Sequence, residues 1–144
     1  MTTVCVDASL IVKSIVKEED SHLADLLFAK WKKEEARLLI PAFAPAEVDS
    51  ILRKKVTRGE LNEEQAEQSF QAACNLPLEI DASPELRRQA WTIARQFRFE
   101  YVYDAVYLAI AESRKCEFWT ADRKLYDKVS DKLKFVRHIS KAIT

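Results

Sequence analysis

Four acidic residues stand where a carboxylate needs a chemical reason: Asp7, Glu47, Asp104 and Asp122. Asp104 is the sharpest case. In Val102-Tyr-Asp-Ala-Val-Tyr-Leu-Ala-Ile-Ala111 every other position is apolar or aromatic, and residues 105–111 offer no polar face. A helix with that pattern buries its first turn, and an isolated ionised carboxylate there costs several kcal/mol unless something pairs it. The helix-start dipole offsets only about 0.3–1 kcal/mol. A divalent cation offsets far more; backbone amides or an arginine such as Arg98 are the other available partners.

Asp7 and Asp122 each follow a short apolar strand and precede a helix, in Val4-Cys-Val-Asp7-Ala-Ser9 and Phe118-Trp-Thr-Ala-Asp122-Arg. That is the edge where open parallel sheets bind ligands. Each is equally placed to cap the helix that follows, and the two roles are compatible. Glu47 borders the apolar stripe of Ala44, Val48, Ile51 and Leu52 at about 100° per residue, whereas Asp49 points away from it. A capping box does not account for Glu47, because its N-cap would fall on Ala44, which has no side-chain oxygen.

An all-oxygen donor set suits a hard cation, Mg²⁺ or Mn²⁺, rather than zinc. Such ions support phosphodiester hydrolysis by activating water, with no side-chain nucleophile required. That chemistry requires the four acids to meet, which spacing along the chain does not decide. Other chemistries have less support. The single glycine, Gly59, leaves no phosphate loop or dinucleotide fingerprint, so no nucleotide cofactor is expected. His22 and His138 have no patterned partners for a triad or zinc site. Cys5, Cys74 and Cys116 are odd in number and far apart, and read as small core residues rather than a disulfide framework.

The chain of 144 residues, 48% hydrophobic, is read as one domain over residues 1–144, able to bury roughly two thirds of its unfolded surface. Its 23 basic and 23 acidic residues balance, so any polyanion site must be a local patch. No run approaches the ~20 apolar residues of a membrane span and the N-terminus has no signal pattern, so the expected location is the cytoplasm. Thr2–Val6 reads as a central strand. Helices follow at Ser9–Glu18 and Ser21–Glu35, then a strand at Leu38–Ile40 closed by Pro41. A helix over Ala46–Arg58 ends at Gly59, and Asn62 caps the next, which reaches Asn75. The second half alternates likewise: strand Leu78–Ile80, a helix opening at Ser83-Pro-Glu and running to Phe99, and a helix over Tyr103–Lys115. Strand Phe118–Thr120, a short helix over Asp122–Val129 and a last strand at Lys134–His138 complete it. This alternation predicts a three-layer α/β/α sandwich around a mostly parallel sheet, with a ligand crevice at the strands' carboxyl ends.

Val4-Cys-Val-Asp7-Ala-Ser9, Glu47 at the head of its helix, Tyr103-Asp-Ala-Val-Tyr-Leu-Ala109 and Trp119-Thr-Ala-Asp-Arg-Lys-Leu125 resemble the successive signatures of PIN domains, specifically the VapC-type toxin ribonucleases. The resemblance spans essentially the whole chain and keeps the order and approximate spacing of all four acids. It implies an α/β/α domain with Mg²⁺- or Mn²⁺-dependent endoribonuclease activity, a homodimer, and inhibition by a small cognate antitoxin whose tail covers the active site. It makes Asp7, Glu47, Asp104 and Asp122 the metal-binding acids, with Ser9 and Thr120 as polar supports. Two departures stand out. Lys124 occupies a position where some members carry a further acid, so the resemblance does not supply a complete second metal site. Bulky Glu100-Tyr-Val-Tyr103 replaces residues that are commonly small, narrowing the approach to Asp104.

For RNA phosphates, the candidates are Arg123 and Lys124 beside Asp122, and Arg53 and Lys54 within the Arg53, Lys54, Lys55, Arg58 cluster. A solvated helix face explains that cluster equally well. Trp91, Phe97, Phe99, Tyr101 and Tyr103 read as core packing or a dimer interface before base stacking. A non-catalytic PIN-like binding module and, more remotely, a receiver-like phosphoacceptor are the competing functions.

Overall fold

The structure is a computed structural model that describes residues 2–142. Its elements run β1 (Thr3–Val6), α1 (Ala8–Ile15), α2 (Ser21–Lys33), β2 (Arg37–Ile40), α3 (Ala44–Thr57), α4 (Glu63–Cys74) and β3 (Leu78–Ile80). They continue with α5 (Leu86–Phe97), α6 (Tyr103–Arg114), β4 (Glu117–Thr120), α7 (Arg123–Val129) and β5 (Val136–His138). The predicted alternation is present throughout. Boundaries differ where the backbone finds a better end. α1 stops at Ile15 because Val16 is extended. α3 begins at Ala44, two residues before the predicted start, because Pro45 fits the first turn, where no N–H is needed.

All five strands are parallel, in the order β3-β2-β1-β4-β5. This is not the 2-1-3-4-5 order of receiver domains, so the receiver-like alternative fails on topology. β1 sits in the middle, and the chain builds outward to one side through β2 and β3 before crossing back to β4. The switch point therefore lies between the carboxyl ends of β1 and β4. There the Asp7 amide donates to the Trp119 carbonyl at 3.0 Å.

Val4, Cys5 and Val6 are all buried, as a strand covered on both faces requires. The Cys5 thiol reaches the Tyr107 carbonyl at 3.5 Å, so this side chain faces α6 and its two neighbours face the opposite layer. α6 lies against β1, β2 and β4 with α5 stacked on it, while α1 is the hub for α2, α3 and α4. From Ala105 to Ala111, excepting Val106, every residue of α6 is buried. That explains the missing polar face: α6 is sandwiched between the sheet and α5. All three cysteines are unpaired; Cys5 is buried and Cys116 half-buried, but Cys74 is exposed at the end of α4, which corrects its reading as a core residue.

Asn62 caps α4 through a reciprocal box with Gln65, its Oδ1 accepting from the Gln65 amide at 2.8 Å and its own amide donating back at 3.0 Å. Asn62→Ala removes one half of this box and is expected to cost about 1 kcal/mol in urea unfolding.

Candidate active site

Asp7, Glu47, Asp104 and Asp122 all line one open cavity of about 560 Å³, together with Ser9 and Tyr103. Each acid arrives on a rigid element. Asp7 ends β1, Asp122 precedes α7, Glu47 is in the first turn of α3, and Asp104 is in the first turn of α6. Size alone does not mark this place. A larger groove of about 1020 Å³ opens beside α5 at Pro84, Trp91 and Val102. Its carboxylate, Asp81, is already clamped by Arg114 at 2.6 Å, which holds it down to about 2.

Asp7 is buried at the N-cap position of α1, yet its side chain makes no cap bond. Its Oδ2 instead accepts from the Thr120 hydroxyl at 2.6 Å and the Ser9 hydroxyl at 2.9 Å. Thr120 Oγ1 in turn accepts from the Asp122 amide at 2.9 Å, and Ser9 Oγ from the Ala121 amide at 3.1 Å. Two hydroxyls thus tie the end of β1 to the β4–α7 turn while orienting one carboxylate. Burial pushes Asp7 above its ordinary value, and the Thr120 and Ser9 bonds offset only part of that.

Glu47 accepts a 2.7 Å hydrogen bond at Oε1 from the Tyr107 hydroxyl. Burial raises its pKa and that bond works against the rise. Tyr107 is fully buried on α6, one turn beyond Asp104, so a single helix supplies one acid and the orienting group of another. Sequence reasoning treated Tyr107 as packing; its signal is the buried hydroxyl, which requires a partner.

Asp104 differs from the other three. It takes no hydrogen bond from the described residues, and Arg98, the left-handed C-cap of α5, makes no ion pair with it there. Burial, then the charges of Asp7, Asp122 and Glu47, raise it from 3.8 to about 6, while Lys128 opposes the rise. Asp122 does cap its helix, accepting from the Leu125 amide at 3.1 Å through Oδ1. Capping and cavity-lining coincide in one residue.

The basic candidates separate. Arg53 is turned to α4, where it holds Glu63 in a bidentate pair at 2.7 and 3.1 Å. Lys54 instead continues the helical line of Glu47, Ser50 and Ile51, all of which border the cavity. Arg123 pairs with Asp127 at 3.8 Å and lies over the Tyr126 ring. Lys124 shares its stripe of α7 with Lys128, one turn on. Lys128 sits 4.8 Å from the centre of the Phe99 ring and acts on Asp104, a cation that sequence reasoning missed despite this spacing. The aromatic group also divides: Phe97 and Phe99 pack together at 6.0 Å, whereas Trp91, Tyr101 and Tyr103 are exposed.

Residues 4–131 match the PIN domain family. This chain belongs to that family. It is 30% identical over 124 residues to Ribonuclease VapC1 of Mycobacterium tuberculosis, covering 83% of this chain and 86% of the relative, which places it with the VapC-type ribonucleases. Solved structures share the fold. PAE2754 from Pyrobaculum aerophilum superimposes with a TM-score of 0.69 at 21% identity, over 96% of this chain and 92% of that one. VapC20 of M. tuberculosis, described as a sarcin-ricin loop cleaving toxin, gives 0.64 at 15% identity over 90% and 95%. VapBC2 from Rickettsia felis, bound to a DNA fragment, gives 0.65 at 15% identity over 95% and 98%.

In this PIN domain the donor set fits a hard divalent cation: oxygen only, clustered and repelling one another. Among the described residues no three acid, histidine or cysteine side chains are disposed to bind one ion directly.

The raised Asp104 pKa has a consequence for the metal-free PIN domain. The folded chain holds this proton more tightly than the unfolded chain, so the associated stability is present below the unfolded value and lost as pH rises through about 6. Asp104→Asn is expected to stabilise the protein in EDTA at about pH 7, with the gain shrinking as pH falls towards about 4. Urea unfolding of both proteins across this range checks the sign; a destabilised variant at neutral pH contradicts it.

Proposed function

We propose that this chain is a Mg²⁺- or Mn²⁺-dependent endoribonuclease, the toxin of a type II toxin–antitoxin pair. The observation that carries the reading is the set of carboxylates facing one cavity, with Asp104 unpaired and opposed by the charges of the other three. A bound divalent cation would supply an activated water for attack on phosphorus and would screen the charge on the phosphate oxygens. Asp7, Glu47, Asp104 and Asp122 would hold it.

The remaining work falls to the chain's own groups. Thr120 and Ser9 fix Asp7 through Oδ2, and Tyr107 fixes Glu47 through Oε1. In each case the fixing bonds fall on one oxygen, so the carboxylate is oriented without being used up. Lys128, whose charge acts on Asp104, together with Lys124 one turn before it and Lys54 on the helical line of Glu47, suits the phosphates flanking the scissile bond, where such cations position RNA without reading its sequence. Arg53 is held by its bidentate pair with Glu63, whereas Arg123, whose exposed pair with Asp127 is 3.8 Å long, stays a phosphate candidate beside Asp122. A homodimer, an antitoxin covering the cavity, a cytoplasmic location and a single domain over the whole chain belong to the same proposal. The match to VapC-type relatives supports the antitoxin, and no helix of the described residues is long and apolar enough to cross a membrane.

Asp7→Asn and Asp104→Asn should each reduce RNA cleavage by roughly two orders of magnitude or more while the protein stays folded, and EDTA should do the same. Thr120→Val, which loosens Asp7 without removing it, should cost about 10- to 100-fold in Mg²⁺ affinity or rate. Cleavage assays with a Mg²⁺ titration and a circular-dichroism melt decide both; undiminished cleavage in excess EDTA would sink the reading.

A further inference from the structure

We propose that Tyr103 forms a nucleobase-stacking subsite on the wall of the acidic cavity, taking an unpaired base next to the scissile phosphate. This rests on the nuclease reading above. Tyr103 directly precedes Asp104 and lines the same cavity as the acids, yet it is 52% exposed, whereas Tyr107, one turn further along α6, is fully buried. An aromatic ring left in water gains little for the fold. The ring is nevertheless held in place: Phe43 meets it near-perpendicularly at 5.2 Å and also meets Tyr107 at 5.8 Å. Tyr107 donates to Glu47, so one aromatic chain links the exposed ring to the acid that faces the cavity.

Geometry selects the ligand. A phosphodiester engaged by the carboxylates brings its two flanking nucleotides into a cavity of about 560 Å³, within the range of sites that hold one small ligand. The aromatic surface lining that space comes from Phe43 and Tyr103, and Tyr103 is the more exposed of the two. Bases stack on tyrosine with little regard to sequence, because each has a π-face. A base paired within a duplex has its faces occupied by its neighbours, so the subsite favours a splayed, single-stranded nucleotide. The Tyr103 hydroxyl is not required, which separates stacking from hydrogen bonding.

The test uses the full chain in Mg²⁺ and a single-stranded oligoribonucleotide that the wild type cleaves. In a parallel series, each nucleotide flanking the cut is replaced in turn by an abasic ribose. Tyr103→Ala should lower kcat/KM by about 5- to 150-fold, while Tyr103→Phe and Tyr103→Trp retain most of it. At one flanking position the abasic substitution should lower wild-type cleavage to a similar extent and add nothing further to Tyr103→Ala. As a readout independent of cleavage, 2-aminopurine at that position should be quenched on binding to Asp7→Asn, and the quenching should be lost when Tyr103→Ala is added. A folded Tyr103→Ala protein with wild-type kcat/KM, or abasic and Ala effects that simply add, overturns the subsite and leaves the nuclease reading standing. Loss of activity that tracks dissociation in sedimentation, with no abasic effect, assigns the ring to contact with a second copy and also overturns it. A wild type that cuts no RNA in Mg²⁺ overturns the nuclease reading and the subsite together.

Discussion

Repulsion among carboxylates gathered at one end of a parallel sheet is the constraint around which this structure is arranged. Asp7, Glu47 and Asp104 are all displaced upward in pKa, each first by burial and then, for Asp104, by the charges of the other three acids. Left to themselves, buried like charges would separate, protonate or loosen the elements that carry them. The fold prevents separation by mounting each acid on an element whose position is fixed elsewhere. β1 is locked between β2 and β4, and α6 is buried along nearly its whole length against the sheet. The apolar run after Asp104 therefore has a mechanical role: its packing keeps an unfavourable charge where it is.

The small hydroxyls at the switch point do the finer work. Thr120 and Ser9 each donate to Asp7 and accept from a backbone amide of the β4–α7 turn, so each is both satisfied and directional. A hydroxyl can do this because it donates and accepts at one atom, which neither a lysine nor an amide nitrogen can. The result is a carboxylate held at one oxygen. Tyr107 treats Glu47 in the same way, and the Leu125 amide treats Asp122 in the same way. Asp104 alone is positioned by its helix and by nothing on its own oxygens.

Much of this was legible in the sequence because it depends on local contradictions. An acid in an apolar helix and acids just past β-branched strands violate simple patterning, and such violations concentrate at functional sites. The alternation of strands and helices likewise carried the layer architecture. What the sequence did not disclose depends on pairing across distance. Arg53 and Lys54 are adjacent in the chain, yet α4 captures the first through Glu63 and leaves the second on the line of Glu47. Tyr107 resembled core packing because its ring is core packing; only its hydroxyl reaches the site. Lys128 was passed over because the turn holding Phe99 beneath it comes from a different part of the chain.

Lys124, two residues past Asp122, and Tyr103, directly before Asp104, bring different chemistry to the surroundings of these two acids. Lys124, with Lys128 one turn on, puts positive charge on α7, which favours a polyanion. Tyr103, in the first turn of α6, adds bulk and an exposed π surface to the cavity wall. The first change is indifferent to what the polyanion carries; the second is sensitive to whether its bases are free. On the proposed nuclease reading, a site with both would hold nucleic acid through charge but admit it to the carboxylates through stacking, so selectivity would enter at the aromatic wall rather than at the acids. The acids themselves have little freedom to vary, since each is committed to its strand or helix end by the packing that makes the cluster tolerable.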